Sequence, residues 1–379
     1  MQQPRRPSFS SLALRLALLS FLFNLAVEVS GFFVPLYARE LGASNMEVGL
    51  VGSSYGLAYF LSAYLFGRQS DMRGRVGFIR LGLGVSALTN LLPIITQDPF
   101  TLLVARGAIG FGFGIASAAT ITYIYEMGGR LGVVISYGAL GWLASTVVAA
   151  TLVEYEALFI VSAIAAALAF LISLSLKEER GPRIRTAFFP LALIRSNRKL
   201  YLGFLLRQMG ANAIWSVFPL FLAGLGASKP WIAILYGINM AGQFILLRFV
   251  DRFDPAKTFI AGILLSIPVF VSYGLARNYL QVIPSQILLA AAWSCLFMGA
   301  LNYFLRKNVE RGTAVGLLYS TIYLSAGLGP FIGGVISQVW GFQTLMYVGA
   351  AIACTGWLAA RGLNDSGDNR KGKGPSPHA

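Results

Sequence analysis

The sequence predicts an all-α membrane protein of twelve transmembrane helices, arranged as two homologous six-helix bundles around a central cavity. Three observations carry that expectation. Of 379 residues, 56% are hydrophobic and only 12% charged, against roughly 25% charged in soluble domains. The apolar residues gather in blocks of about 20, long enough to cross a ~30 Å hydrocarbon core as helices. Short stretches of sequence also recur at a fixed offset of 184 residues.

Spans are expected at 12–37, 46–66, 77–95, 99–123, 131–153, 156–176, 200–223, 230–250, 257–275, 281–304, 313–337 and 342–361. The first block is far longer than the apolar core of a signal peptide and lacks a small-residue cleavage pattern, so it reads as a spanning helix. Most connections are short and rich in Gly, Pro and charge. The segment 177–199 is longer and carries Lys177, Glu178, Glu179, Arg180, Arg183, Arg185, Arg195, Arg198 and Lys199. It divides the chain into an N-terminal bundle (1–176), a cytoplasmic linker (177–199) and a C-terminal bundle (200–361). The polar tail 362–379 is expected to be disordered.

Charge placement orients these spans. Among the 30 Lys and Arg residues, Arg39, Lys229 and Arg277 alone fall in the loops of one side, and Arg106 lies within a span. The rest crowd the other side, which the positive-inside rule makes cytoplasmic. Both termini are therefore expected in the cytoplasm of a cell bearing this protein in its plasma membrane.

The net charge of +15 raises nucleic acid as a partner, but the basic residues are scattered through short connections, and no soluble stretch is long enough for a nucleic-acid module. Cys295 and Cys354 lie inside apolar blocks, so no disulfide framework is indicated. The sole histidine, His378, lies in the tail, which removes histidine-based metal sites and catalytic triads. No metal or organic cofactor is expected. The partners are a small-molecule substrate and the lipid bilayer.

The repeat pairs Pro35-Leu36-Tyr37 with Pro219-Leu220-Phe221, LGAS at 41–44 with LGAS at 225–228, Glu126 with Glu310, and Gly132 with Gly316. Six-plus-six duplication is a transporter architecture, with the substrate site near the midplane where the halves meet. Duplication serving folding alone is the alternative. Such a unit can form its cavity as a monomer.

Between the second and third spans stands Gly67-Arg68-Gln69-Ser70-Asp71-Met72-Arg73-Gly74-Arg75. It resembles the loop pattern of the major facilitator superfamily, with departures at Gln69, Met72 and Val76. The resemblance implies a conformational latch acting through Asp71 with Gly67, Arg73, Gly74 and Arg75. A solvated, topology-setting basic loop is the plainer reading. The fourth span reads Leu102-x-x-x-Arg106-x-x-Ile109-Gly110, continuing to Gly114. It is similar to the superfamily's fourth-helix motif, with Ile109 in place of the usual Gln, and the resemblance links Arg106 to proton-coupled members. In the eleventh span, Gly329-Pro330 and Gly333 resemble the glycine-proline motif that exporters usually carry in the fifth. The fifth span has Gly138 and Gly141 but no proline, so the resemblance supports export only weakly. Glu310-Arg311-Gly312 also suits the family at this position.

Charged residues in lipid cost about 2.5–3.5 kcal/mol each on insertion scales and need a reason. Glu28 lies nine residues inside the end of the first span, about 13 Å deep, and Arg106 seven inside its own, about 10 Å. Two opposite charges in one layer lower each other's cost. Arg207 belongs to a different layer and is expected to snorkel. Asn24 and Glu28 share one helix face, and their repeat counterparts Gln208 and Asn212 share another. These faces read as opposite walls of a central cavity, with interhelical hydrogen bonding as the plain alternative. The aromatic neighbours Phe32, Phe33, Trp215 and Phe218 suit amphipathic or cationic organic compounds. The expected function is secondary active transport by alternating access. Proton-coupled efflux of such compounds leads, and uptake or symport of a sugar or organic acid is the alternative. A membrane enzyme would need a catalytic cluster, and a sensor would need a signalling domain; the sequence offers neither.

Overall fold

A computed structural model describes residues 11–127, 131–178, 190–250, 252–308 and 311–363. All its regular elements are helices. In the N-terminal half these are α1 (Ser11–Val29), α2 (Val34–Glu40), α3 (Asn45–Arg73), α4 (Val76–Thr89), α5 (Pro99–Glu126), α6 (Leu131–Leu152) and α7 (Tyr155–Leu174). A short helix α8 (Leu191–Ser196) precedes α9 (Arg198–Trp215), α10 (Phe218–Gly224), α11 (Lys229–Val250), α12 (Pro255–Leu275), α13 (Ile283–Lys307) and α14 (Arg311–Ala360). Gly341, at φ 83°, breaks α14 into two helices. Nine stretches of the described residues are long and apolar enough to cross a membrane, the last of them covering both parts of α14. With α6 and the α9–α10 pair, twelve membrane-length segments result.

The first and seventh spans, expected as single helices, are each broken. Pro35 and Pro219 stand in the first turns of α2 and α10, where they have no N–H to continue a preceding helix. The two seven-residue fragments, 34–40 and 218–224, lie 184 residues apart, so the repeat extends to backbone geometry. The LGAS loops show why that tetrapeptide recurs. Gly42 and Gly226 take φ of 89° and 88°. Gly42 N–H donates to Arg39 O at 3.0 Å and Ala43 N–H to Ala38 O at 2.9 Å; Gly226 and Ala227 bond Ala223 and Leu222 in the same way. Each is a glycine-terminated helix end. Ser44 then caps α3, sharing a reciprocal box with Glu47.

One end of the bundle carries the loops around 41–44, 153–154, 225–228 and 276–278 and is poor in basic charge. The other carries Arg73, Arg75, Lys177, Arg198, Arg252, Arg306 and Arg361 and is basic. The largest buried core joins both halves near the charge-poor end, through Phe32, Phe33, Phe218, Tyr236 and Tyr273. Toward the basic end the cores separate. One is built from residues between Leu16 and Leu176, the other from residues between Leu200 and Leu363.

Contacts between α3 and α14 follow the same division. Starting at the charge-poor end, Asn45 N–H donates to Gln338 Oε1 at 2.9 Å and Phe331 N–H to Ser53 Oγ at 2.9 Å. The rings of Tyr59 and Tyr323 stack at 3.9 Å, with their hydroxyls 2.8 Å apart. Phe331 gives its N–H across the seam because Pro330 disrupts the local helix ladder. Gly49 is required there, since a Cβ on it would lie 2.9 Å from Gly334 Cα. These contacts along α3 and α14 run from the charge-poor end to the tyrosine pair, fourteen residues into α3. The halves therefore close over the charge-poor end and part toward the basic one.

Candidate transport site

The break between α1 and α2 sets the site. Glu28 lies in the last turn of α1, and its carbonyl accepts Gly31 N–H at 2.9 Å, closing the helix early. Arg106, on α5, fills the polar gap that the break opens. Its Nη1 donates to Ser30 O at 3.3 Å and approaches Ser30 Oγ at 3.5 Å. A cation at the carbonyl end of a helix fragment is stabilised by up to about 2 kcal/mol in such partly buried geometry. The guanidinium also lies 4.5 Å above the Tyr55 ring. That stacking depends on close packing of α5 on α3, since a Cβ at Gly110 would meet Tyr55 Cα at 3.0 Å and one at Gly114 would meet Ala63 N at 3.1 Å.

Arg106 is only 6% exposed, whereas Glu28 is half-buried although it sits deep in the bundle. Its open surface therefore faces an internal space. Glu28 and Arg106 interact electrostatically without forming an ion pair within 4 Å; an ion pair that does form, Lys229–Glu40 at 3.7 Å, lies at the charge-poor end. Aromatic rings from both halves meet beside the break, and Tyr236 among them lies within electrostatic reach of Glu28. Phe32 packs edge-on to Tyr236 at 5.1 Å, and Trp215 lies 5.3 Å from the same ring.

The other expected wall residues are engaged elsewhere. Asn24 Nδ2 donates to Ser20 O of its own helix at 2.8 Å and packs where α6 presents Gly138. Asn212 Nδ2 donates to Ser325 Oγ on α14 at 3.0 Å. Gln208 is buried and accepts from Arg207 Nη1 at 2.8 Å. Of the three, Asn212 makes the interhelical hydrogen bond of the plainer alternative, while Asn24 and Gln208 bond within their own helices. Arg207 does not snorkel: it is 1% exposed. Gly329 and Gly333 bring α14 onto α9 at its break, where added Cβ atoms would lie 2.7 Å from Asn212 Cβ and 2.8 Å from Ser216 Oγ. Ser30, Tyr55 and Tyr236 were not among the expected site residues. Ser30 was signalled only by its place between Glu28 and Pro35, and nothing in the local pattern distinguished the two tyrosines.

At the basic end the latch motif is mostly helix. α3 runs on through Arg73, so Gly67 makes no turn, and the connection is Gly74-Arg75 alone, with Gly74 at φ 108°. The acid that meets it is Glu178, whose carboxylate accepts the N–H groups of Arg75 and Val76 at 2.7 and 2.8 Å. Arg80 returns the arrangement by donating to Ser173 O, Leu174 O and Leu176 O at the end of α7. The side chain of Asp71 and residue Glu310 lie outside the described residues.

Twelve membrane-length segments among the described residues, in a duplicated array with a half-buried acid and a buried arginine at a helix break, fit a multi-pass transporter. The sequence profile of the Major Facilitator Superfamily matches residues 16–241 and 200–378, and the chain belongs to that family. It is 25% identical over 369 residues to the multidrug resistance protein MdtG of Klebsiella pneumoniae (strain 342), covering 88% of each chain. It is 24% identical over 364 residues to MdtG of Salmonella newport (strain SL254), covering 88% of this chain and 90% of that one. Among solved structures, the nucleoside transporter NupG superposes with a TM-score of 0.73 at 17% identity, covering 92% of this chain and 98% of the other. A D-xylose–proton symporter superposes with a TM-score of 0.71 at 19% identity, covering 92% and 96%.

Proposed function

We propose that the protein is a proton-coupled exporter of small amphipathic or cationic organic compounds, working by alternating access in the plasma membrane. The observation that carries this reading is Glu28, a half-buried carboxylate at a helix break, without a contact ion pair to Arg106 and within electrostatic reach of Tyr236, whose ring packs against Phe32 and Trp215. A negative group near aromatic rings favours cations with apolar bodies. Resemblance to multidrug resistance proteins supports the same substrate class.

In the orientation indicated by the basic loops, the basic end is cytoplasmic and the bundle opens inward. Cargo then enters from the cytoplasm and binds ionised Glu28. Arg106 is tied to the Ser30 carbonyl and leaves the carboxylate open. Rocking of the halves exposes the site outside, where a proton displaces the cargo. Proton and cargo exchange because both bias one equilibrium between two conformations.

The test is a proteoliposome assay with a trapped pH dye and an imposed pH gradient. Lipophilic cations, sugars and organic acids are added in turn. Proton movement triggered by the cations supports the reading. Movement triggered by sugars or acids alone replaces it with metabolite transport, and silence across the panel with verified insertion contradicts proton coupling.

A further inference from the structure

The transport site leaves a second buried cation without a task. Arg207 heads the fully buried side chains of the described residues in volume. Its Nε donates to Ser266 Oγ at 2.8 Å and its Nη1 to Gln208 Oε1 at 2.8 Å. Both acceptors are neutral. Its Nη2, although buried, has no hydrogen-bond partner. The rings of Phe270 and Trp293 stand 5.7 Å from the guanidinium carbon, close to the ~6 Å limit of useful cation–π attraction.

Among the described residues no carboxylate pairs with Arg207. Residues 200–363 include three acids, Asp251, Asp254 and Glu310, of which Asp251 and Glu310 lie outside the described residues. Asp254 caps α12, accepting Lys257 N–H at 2.8 Å. It lies twelve residues from Ser266, about 18 Å along the helix. Arg106 makes the contrast clear, since it has a nearer ring, a helix-end carbonyl and Glu28 within electrostatic reach. A guanidinium keeps its charge in proteins, and a buried charge with unpaired donors is strongly unfavourable. The hydroxyl of Tyr273, also buried and unpartnered, lies within electrostatic reach of Arg207.

We infer that Arg207 binds a small inorganic monovalent anion of the chloride class, held by the Nη2 N–H groups and walled by Phe270 and Trp293. One guanidinium neutralises a single charge, so a divalent anion would leave a bare charge in low dielectric. An exposure of 1% favours an ion without a carbon skeleton over a carboxylate borne by cargo.

The test uses the full-length protein purified in detergent. Chloride, bromide, gluconate, acetate and sulfate are titrated at constant ionic strength, with thermal unfolding and tryptophan fluorescence as readouts. Expected is a saturable rise in Tm with chloride and bromide but not with gluconate or sulfate, accompanied by a fluorescence change from Trp293. Arg207→Gln should weaken the halide response at least about tenfold, while Trp293→Phe should lose the fluorescence change and keep the Tm response. Because Arg207→Gln is buried and at risk of misfolding, bromide anomalous diffraction on the wild type gives an independent answer, with a peak expected within hydrogen-bond distance of Nη2. Identical Tm in chloride and gluconate, a halide response that survives in folded Arg207→Gln, no bromide peak at Nη2, or stabilisation by acetate instead of halide would each overturn the assignment.

Discussion

Closure of the charge-poor end rests on a seam of small residues, and Gly49→Val should open it. A Cβ at position 49 would stand 2.9 Å from Gly334 Cα. Carbon contacts are comfortable at about 3.5–4.0 Å, so α3 and α14 would have to part by about 0.6–1.1 Å for one carbon alone, and further for the two methyl groups of valine. Overpacking of this kind costs about 1–3 kcal/mol. It acts only on the conformation in which the seam is closed, so the closed population should fall about 5- to 150-fold relative to the open one. The Phe331–Ser53 and Tyr59–Tyr323 bonds lie on the same seam and would be stretched with it. Spin labels at exposed Ile95 and Arg277, one on each half, report this by pulsed electron resonance after Cys295 and Cys354 are replaced. Longer distances should dominate in the variant. An unchanged distance distribution in a correctly folded Gly49→Val protein would show that the seam does not govern closure.

Other expectations follow from single contacts. Glu178→Ala removes the carboxylate that accepts from Arg75 and Val76; a loss of about 1 kcal/mol is expected from thermal unfolding, and an unchanged Tm would refute the cap. Arg106→Lys keeps the charge but loses the planar group that reaches Ser30 and stacks on Tyr55. Cargo transport should drop at least about tenfold with folding intact; a wild-type rate would contradict the assignment. Asp98, outside the spans, accepts from the backbone N–H of Thr101, and also from the Thr101 hydroxyl and Phe100 N–H. The Thr101 N–H chiefly holds its carboxyl below the usual carboxylate range. A lowered folded value stabilises above the unfolded value of about 3.9 and loses that contribution as pH falls through the folded value. The Tm gap between wild type and Asp98→Ala should therefore close below that range; a gap independent of pH would sink this cause.

The sequence exposed some parts of this molecule more readily than others, and the reasons are physical. Span lengths, charge bias and duplication are properties of blocks, so they survive without coordinates. The recurrence of LGAS was visible, and its cause lies in a left-handed glycine closing one helix before a serine begins the next. Glu28 and Arg106 stood out because charge in lipid is costly. The helix break beside Glu28 did not, because 12–37 reads as one apolar run and Pro35 can begin a fragment or kink a helix equally well. Tyr55 and Tyr236 reach the site through contacts between helices remote in sequence, which no local spacing encodes. Asn24, Gln208 and Asn212 were picked out by helix spacing, which does not encode the hydrogen-bond partners Ser20, Arg207 and Ser325. Which end is closed depends on contacts between helices remote in sequence, such as Phe331–Ser53 and Tyr59–Tyr323, which no local pattern encodes.

The most direct test of Glu28 as the coupling group compares wild type with Glu28→Gln in proteoliposomes. Cargo movement is measured twice, once driven by a pH gradient and once by exchange against trapped unlabelled cargo without a gradient. Expected is that the variant keeps exchange and loses accumulation driven by the gradient. Gradient-driven accumulation at the wild-type level in Glu28→Gln would contradict the role assigned to this carboxylate.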